Sequence, residues 1–226
     1  MTTALPVIVF DVNETLSDMS PMGERFSEVG APAELAKLWF ATLLRDGFAL
    51  TASGDSGSFA AIGADVLRHL LSEVEPDRGL DAAVEHVMAG LAGLGLHPDV
   101  PAGVRALSAA GFRLMTLSNG PAQIAEKLFS EAGIRDEFEV LLSVDDAPVW
   151  KPARASYEYA ATAAATMMSA MLLVAVHPWD IHGAARAGLR TAWLNRTGAA
   201  YPGYFEAPEF TITALTDLPA VVAATD

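Results

Sequence analysis

Polar side chains follow several short apolar runs of the sequence, and their types could carry chemistry. Asp11 comes directly after LPVIVF, and the Thr15 hydroxyl, four residues later, can hydrogen-bond a carboxylate or a substrate oxygen. Ser118 and Asn119 close a second run, and Lys151 lies a few residues beyond a third. A single Asp after a strand is usually a turn residue. Open parallel sheets bind ligands at the carboxyl ends of their strands, so these groups together predict one binding crevice.

A second acid, Asp180, follows the run MLLVAV within HPWDIHGA. Asp180 could instead cap the next helix, and Lys151 could be an exposed surface lysine. The chemical alternative is nucleophilic catalysis, in which the Asp11 carboxylate attacks the substrate and forms a covalent intermediate. Lys151 would then keep both carboxylates ionised in a crevice that otherwise raises their pKa values.

The apolar runs that would position these groups alternate with helical patterns. The runs LPVIVF, FRLMTLS, FEVLLSV, MLLVAV, LRTAWL and EFTITAL predict a parallel, doubly wound α/β sheet. About a hundred residues separate the first run from the second, far more than a crossover needs. Helical periodicity fills this interval, for example in PAELAKLWFATLLRDGFAL. We therefore predict a core of residues 1–16 and 99–226 and a helical cap of residues 17–98.

Composition limits the possible partners and compartments. The 226 residues include 14 Lys and Arg against 28 Asp and Glu, a formal net charge of −14 that repels nucleic acid and anionic membranes. The chain has no cysteine, so a disulfide framework and a thiolate metal site are excluded. The opening MTTALPVIVFDVNE lacks the basic region of a secretory signal. Cytoplasm is the expected compartment.

The uncharged stretch Tyr159–Val176 approaches the length of a membrane span. The competing interpretation is an alanine-rich helix followed by a buried strand, because parallel strands covered on both faces are also continuously apolar. We favour the second interpretation and expect no membrane partner.

Four ordered motifs together resemble the haloacid dehalogenase superfamily. FDVNETL is similar to its first motif, LSNG to its second, the lysine of WKP to its third, and HPWDIHGA to its fourth. Within the superfamily, LSNG, the KP pair followed by Tyr157, and the WD dipeptide are most similar to the type II 2-haloacid dehalogenases. The resemblance covers nearly the whole chain and implies a Rossmann-like core with a cap inserted after the first strand.

Two features separate this sequence from the phosphatases of the superfamily. Those enzymes use an aspartate two residues after the nucleophile as general acid, where this chain has Asn13. An amide cannot supply a titratable proton to a leaving alcohol. They also bind Mg²⁺ through several acids of the fourth motif, whereas Asp180 is followed by Ile181, His182 and Gly183. We therefore expect neither a metal nor another cofactor.

The resemblance implies an SN2 attack of Asp11 on C2 of a small 2-substituted carboxylate, followed by hydrolysis of the aspartyl ester by water. Asp180, with Lys151, would orient or deprotonate that water, and Thr15 would position Asp11. Ser118 and nearby backbone N–H groups would hold the substrate carboxylate. Asn119 and Trp179 are expected on the leaving-group side. Tyr157 is expected to hydrogen-bond within this cluster or to pack as a core aromatic. The other residues expected around the substrate are Asn13, Phe40 and His177.

Three departures from the family pattern concern the leaving group. Family members with established dehalogenation usually carry an arginine directly after a cap-helix aromatic, where this chain has Phe40 after Trp39. Arg45 or Arg25 could replace that arginine, or either could be a solvated helix residue. The others are Ala175 and His177, where Ser and Asn are more usual, and His177 adds a titratable imidazole.

Other activities remain open on the sequence. If His177 or His182 protonates the leaving group, the same attack could displace fluoride or open a strained C–N ring. A small-molecule phosphatase and a catalytically silent binding protein are more distant alternatives. The expected partners are a small carboxylate and water, with a homodimer possible through apolar cap helices.

Overall fold

The computed structural model describes residues 5–223; residues 1–4 and 224–226, which the predicted core includes, lie outside this description. The chain divides into two compact units. The helical unit is Asp18–Gly95, and the α/β unit comprises the chain up to Ser17 and from Leu96 onward. The sequence predicted an insert at residues 17–98, and the action of this insert as a cap stays a prediction.

The strands of the α/β unit are β1 (Val7–Phe10), β2 (Leu114–Ser118), β3 (Val140–Ser143), β4 (Met171–Ala175), β5 (Arg190–Leu194) and β6 (Phe210–Ile212). Within residues 5–223 they form one six-stranded sheet in the order β3-β2-β1-β4-β5-β6, and every neighbouring pair is parallel. Each strand lies inside one of the six predicted apolar runs. The predicted doubly wound α/β fold is therefore confirmed.

The helical unit contains α1 (Met22–Ser27), α2 (Leu35–Ser53), α3 (Phe59–Ser72) and α4 (Leu80–Ala92). Gly54 ends α2 in the left-handed conformation, with φ of 82°, and the Ser58 hydroxyl caps α3 by accepting from the Ala61 N–H. The Trp39 indole donates to the Gly63 carbonyl at 2.9 Å, so α2 and α3 pack through a hydrogen bond as well as apolar contacts.

The helices of the α/β unit are α5 (Val100–Ala109), α6 (Ala122–Glu131), α7 (Arg154–Ala163), α8 (Pro178–Ala187) and α9 (Leu218–Ala223). One apolar core joins strand side chains such as Phe10, Leu114 and Val174 to helix side chains such as Val104 and Phe129. Because β1 and β4 are fully buried, their sequences are continuously apolar.

The uncharged stretch 159–176 is divided between secondary-structure elements. It contains the end of α7, a 3₁₀ helix at Met168–Ala170 and the buried strand β4. Among residues 5–223, no helix is both long enough and apolar enough to cross a membrane.

Candidate active site

Asp11 lies at the carboxyl end of β1, between the two strands that flank it. The Asp11 N–H donates to the Val174 carbonyl at 3.1 Å, which extends the pairing of β1 with β4 by one residue. The Asp11 side chain is only 4% exposed. The chain then turns at Asn13 and Glu14, which brings Thr15 back so that its hydroxyl donates to Asp11 Oδ2 at 2.6 Å.

Lys151 joins the two carboxylates that the sequence singled out. Its Nζ lies 2.9 Å from Asp11 Oδ1 and 2.6 Å from Asp180 Oδ2. The side chains of Lys151 and Asp180 are fully buried. An ammonium between two carboxylates has favourable interactions with both and compensates part of the free energy of removing three charges from water.

The backbone of Lys151 is held by the Asn119 side chain. Asn119 Oδ1 accepts from the Lys151 N–H at 3.0 Å, and Asn119 Nδ2 donates to the Lys151 carbonyl at 3.2 Å. This two-point contact links the end of β2 to the lysine loop. Asn119 was predicted on the leaving-group side; its observed contacts position Lys151, and a contact with substrate stays a prediction.

Tyr157, from α7, completes the environment of Asp180. Its hydroxyl donates to Asp180 Oδ1 at 2.6 Å, so each Asp180 carboxylate oxygen has a short hydrogen bond. Gly183 permits this approach of α7 to α8, because a Cβ at this position would lie 2.5 Å from Pro152 Cβ and 2.8 Å from the Tyr157 hydroxyl. Any larger residue at position 183 would displace Pro152 and Tyr157, and with them the neighbouring Lys151.

The second oxygen of Asp11 has a different set of neighbours. His177, the residue before α8, places Nδ1 3.0 Å from Asp11 Oδ2 and Nε2 2.9 Å from Glu14 Oε2. The Glu14 side chain is 45% exposed, so this pair extends from the buried nucleophile towards solvent. Glu14 has φ of 59°, an unusual conformation for a residue with a side chain.

The charges in this cluster shift its pKa values in different directions. Burial alone would raise the pKa of Asp11, but the Lys151 ammonium and the hydrogen bonds from His177 and Thr15 hold it below its usual value. Burial raises the pKa of Asp180, with Lys151 opposing and the charge of Asp11 adding to the increase. Asp11 is therefore the more readily ionised of the two carboxylates.

Two neighbouring groups have raised pKa values for related reasons. Burial would lower the pKa of His177, but its hydrogen bonds to Asp11 and Glu14 raise it to about 9. His177 is thus an imidazolium at neutral pH. Burial would likewise lower the pKa of Lys151, but the charges of Asp11 and Asp180 raise it, so Lys151 remains protonated.

Other predicted site residues lie around this cluster. The Ser118 oxygen accepts from the Gly120 N–H at 2.9 Å, and no acceptor among residues 5–223 engages its own O–H. Asn13 is buried, and its amide contacts Gly120 closely enough that a Cβ there would lie 3.0 Å from Nδ2. The Trp179 ring centre lies 6.0 Å from Lys151 Nζ and 5.0 Å from the His177 ring centre.

Phe40 and the candidate arginines belong to the helical unit. Phe40 is buried in α2, with its ring centre 6.5 Å from that of Trp39. Arg45 forms an exposed ion pair with Asp46 at 2.8 Å, and Arg25 pairs with Glu28 at 3.0 Å. Roles for these three residues in substrate or halide binding stay predictions.

Two contributors to the site were not predicted from the sequence. Glu14 is an acid within the first motif, and its partnership with His177 depends on a left-handed turn that residue spacing does not reveal. Arg196 donates to the Thr15 carbonyl at 3.0 Å and pairs with Asp99 at 2.8 Å, which fixes the end of the Asp11 loop. Among the described residues, no group of three or more His, Cys, Asp and Glu side chains could hold a metal ion.

Comparison with known proteins supports the resemblance seen in the motifs. The model of the haloacid dehalogenase-like hydrolases matches residues 5–188. The (S)-2-haloacid dehalogenase of Pseudomonas sp. (strain YL) is 34% identical over 212 residues, covering 92% of this chain and 90% of that protein. Haloacetate dehalogenase H-2 of Moraxella sp. (strain B) is 28% identical, covering 97% and 98%. The crystal structure of an L-2-haloacid dehalogenase has a TM-score of 0.90 and 28% identity, covering 98% of this chain and all of the other.

Proposed function

This chain belongs to the haloacid dehalogenase-like hydrolase family, and we propose that it converts small (S)-2-haloacids to 2-hydroxy acids through an ester on Asp11. The names of its relatives supply the substrate class. The observation that carries the proposal is the buried contact of Lys151 with both Asp11 and Asp180. It supports an ionised, desolvated Asp11 carboxylate, the form that can act as a nucleophile.

In the first step of the proposed reaction, an Asp11 oxygen attacks C2 and the halide leaves with the bonding electron pair. Lys151 and Thr15 restrict the carboxylate, since they bind different oxygens at 2.9 and 2.6 Å. Such orientation lowers the entropic part of the barrier before the reaction begins. No proton is needed for departure of chloride or bromide.

The substrate carboxylate is proposed to bind at the end of β2. The Ser118 hydroxyl and nearby backbone N–H groups are donors, and an anion needs such local donors on a chain with a net charge of −14. Asn13 is a further substrate contact in this proposal, and Trp179 lines the leaving-group side. Phe40 is proposed as an apolar substrate contact contributed by the helical unit.

In the second step, water attacks Cγ of the Asp11 ester and releases the 2-hydroxy acid. The resemblance implies that Asp180, with Lys151, orients or deprotonates this water, and the contacts of Asp180 support its part in holding the lysine. Attack at C2 inverts that carbon, while water attack at Cγ leaves it unchanged. The expected product of an (S)-2-haloacid is therefore the (R)-2-hydroxy acid.

The decisive experiment compares Asp11→Asn with Asp136→Asn, which alters an exposed aspartate in the α/β unit. Chloride release from (S)-2-chloropropionate should be abolished in Asp11→Asn and unchanged in the control. Single turnover of the unmodified protein in ¹⁸O water should place the label in the Asp11 carboxylate. A fully active Asp11→Asn variant, or label found only in the product, would exclude the aspartyl ester.

We further propose a cytoplasmic homodimer. The support is the resemblance to a family in which dimers are common, the lack of cysteine, and the half-exposed Leu38 on α2 of the helical unit. Light scattering at several protein concentrations would distinguish a dimer from a monomer.

A further inference from the structure

His177 and Glu14 form a connected acid and imidazole pair beside the nucleophile. His177 Nδ1 faces Asp11 Oδ2 at 3.0 Å, and Nε2 faces the Glu14 carboxylate at 2.9 Å. Glu14 is fixed from its backbone side as well, because its carbonyl lies 3.0 Å from His97 Nε2. A carboxylate that orients one ring nitrogen leaves the other directed at the reacting group, an arrangement used in general acid and base catalysis.

The position of His177 argues against protonation of the leaving group. An in-line displacement expels that group on the side of C2 opposite the attacking oxygen. An imidazole hydrogen-bonded to Asp11 Oδ2 lies on the attacking side. His177 is therefore close to Cγ of Asp11, the carbon that reacts in the second step, and remote from the bond that breaks in the first.

Asp180 is poorly arranged to accept a proton from water. One of its oxygens accepts from Lys151 Nζ and the other from the Tyr157 hydroxyl, both at 2.6 Å, and its side chain is fully buried. Position 175 is alanine in this chain, so the serine hydroxyl more usual in the resembled family is absent. The end of β4 and the loop after it thus depart from the family pattern at two positions, 175 and 177.

We propose that His177, oriented by Glu14, is the general base that activates the water attacking Cγ of the Asp11 ester. This inference rests on the proposed dehalogenase function and assigns one step within it. Glu14 acts as a positioning residue, because its carboxylate contacts His177 Nε2, the ring nitrogen opposite the one that faces Asp11.

The proton balance follows from the change in charge at Asp11. When Asp11 becomes an ester it loses its negative charge, so the imidazolium loses that attraction and gives its Nδ1 proton to a water molecule that carries it to solvent, while Nε2 keeps its proton and its hydrogen bond to Glu14. Neutral Nδ1 then takes one proton from water as the hydroxide adds to Cγ. The bond from Cγ to the substrate oxygen breaks, and the departing oxygen receives the second water proton. The hydroxy acid leaves, and Asp11 carboxylate and imidazolium are restored.

The test separates the two steps in the variant His177→Asn. Asparagine can still donate a hydrogen bond to Asp11 but cannot accept a proton from water. Rapid-quench measurements with (S)-2-chloropropionate should give one equivalent of chloride per protein at nearly the original rate. Release of the hydroxy acid should slow by about a hundred- to ten-thousandfold. Intact-protein mass spectrometry should then detect the accumulated ester.

The outcomes distinguish this inference from the function on which it rests. Unchanged hydroxy acid release in His177→Asn, or slowed chloride release without an ester, would overturn the role of His177 and leave the dehalogenase function standing. No chloride from the unmodified protein would overturn both. His69→Asn is the matched control, because His69 is an exposed histidine of α3 and its replacement should change neither step.

A second measurement does not depend on the folding of a variant. In the unmodified protein, decay of the ester should accelerate as pH rises through the titration of His177 in the esterified protein. Glu14→Gln should move this profile to lower pH, since loss of a neighbouring negative charge makes the imidazolium more acidic. Ester decay independent of pH would overturn the assignment, and a purely structural effect of Glu14→Gln would leave the midpoint unchanged.

Discussion

The two oxygens of the Asp11 carboxylate have contrasting surroundings. On the Oδ1 side, Lys151, Asp180 and Tyr157 form a buried network in which short hydrogen bonds join the charged groups. On the Oδ2 side, His177 leads to Glu14, whose side chain is half exposed. The first side holds fixed charge in the protein interior, and the second gives protons a route to solvent.

This difference predicts separate roles for the residues on the two sides of the Asp11 carboxylate. A buried network needs all its members, since removal of one leaves an uncompensated charge in a medium that solvates it poorly. A titratable pair near solvent can change its charge during a reaction at a lower energetic cost. We therefore expect mutations on the Oδ1 side to affect stability strongly and mutations on the Oδ2 side to affect the pH response.

The largest expected effect is that of Lys151→Met. It leaves Asp11 and Asp180 buried together without a cation, so the free energy of unfolding should fall by about 3–5 kcal/mol at pH 7. Turnover should fall by at least about a hundredfold because the nucleophile loses its orientation. Chemical denaturation and chloride release measure the two effects. Lys127→Met, at an exposed lysine of α6, should change neither; equal stability of the two variants would contradict the buried network.

The Oδ2 side should make stability depend on pH. The pKa of His177 rises from an unfolded value of about 6.5 to about 9 in the folded protein. The stabilisation from its proton is therefore complete below pH 6.5 and is lost as pH rises to 9. We expect a loss of about 3 kcal/mol from this group across that interval.

Urea denaturation between pH 6 and 9.5 tests this prediction with His177→Asn as the comparison. The variant should lack most of the decrease, because an amide does not titrate. If both proteins lose stability in parallel as pH rises, the imidazolium between Asp11 and Glu14 is not the source of the pH dependence.

A smaller effect is expected for Tyr157→Phe. This change removes the hydroxyl that donates to Asp180 at 2.6 Å and leaves a buried carboxylate oxygen without that donor. The free energy of unfolding should fall by about 1–3 kcal/mol. Thermal unfolding measures the change, and Tyr204→Phe is the control because Tyr204 is 82% exposed. A stability equal to that of the control would mean that the Tyr157 hydroxyl adds nothing to the network.

The smallest effect on stability is expected outside the site, at a buried hydroxyl that has no hydrogen-bond partner within residues 5–223. Thr116 of β2 is fully buried, and among the described residues its hydroxyl has no hydrogen-bond partner. Thr116→Val keeps the shape and removes an unsatisfied polar group, so it should stabilise the protein by about 1 kcal/mol. Removal of the hydroxyl should thus raise the free energy of unfolding in Thr116→Val and lower it in Tyr157→Phe. Destabilisation of Thr116→Val in a denaturant titration would contradict this contrast.

The strands and part of the site could be predicted from the sequence, whereas the contacts made by loop residues could not. The strands were predictable because buried parallel strands require continuous apolar runs, as in the segment that contains β4. The convergence of Asp11, Lys151 and Asp180 followed from their places at strand ends. The partnership of Glu14 with His177 was not predictable, because it depends on one positive φ in a short loop. The contact of Asn119 with the Lys151 backbone likewise depends on a loop path that spacing does not define.

The central place of β1 in the sheet has a consequence for synthesis of the protein. Its neighbours β2 and β4 begin at Leu114 and Met171, so β1 is synthesised more than a hundred residues before the first of its flanking partners. A growing chain therefore carries an apolar strand and an unpaired acid until β4 has emerged. Catalytic competence accordingly cannot arise before Asp180 has been synthesised, and a chain that stops before β4 leaves β1 without one of its two neighbours and exposed to aggregation.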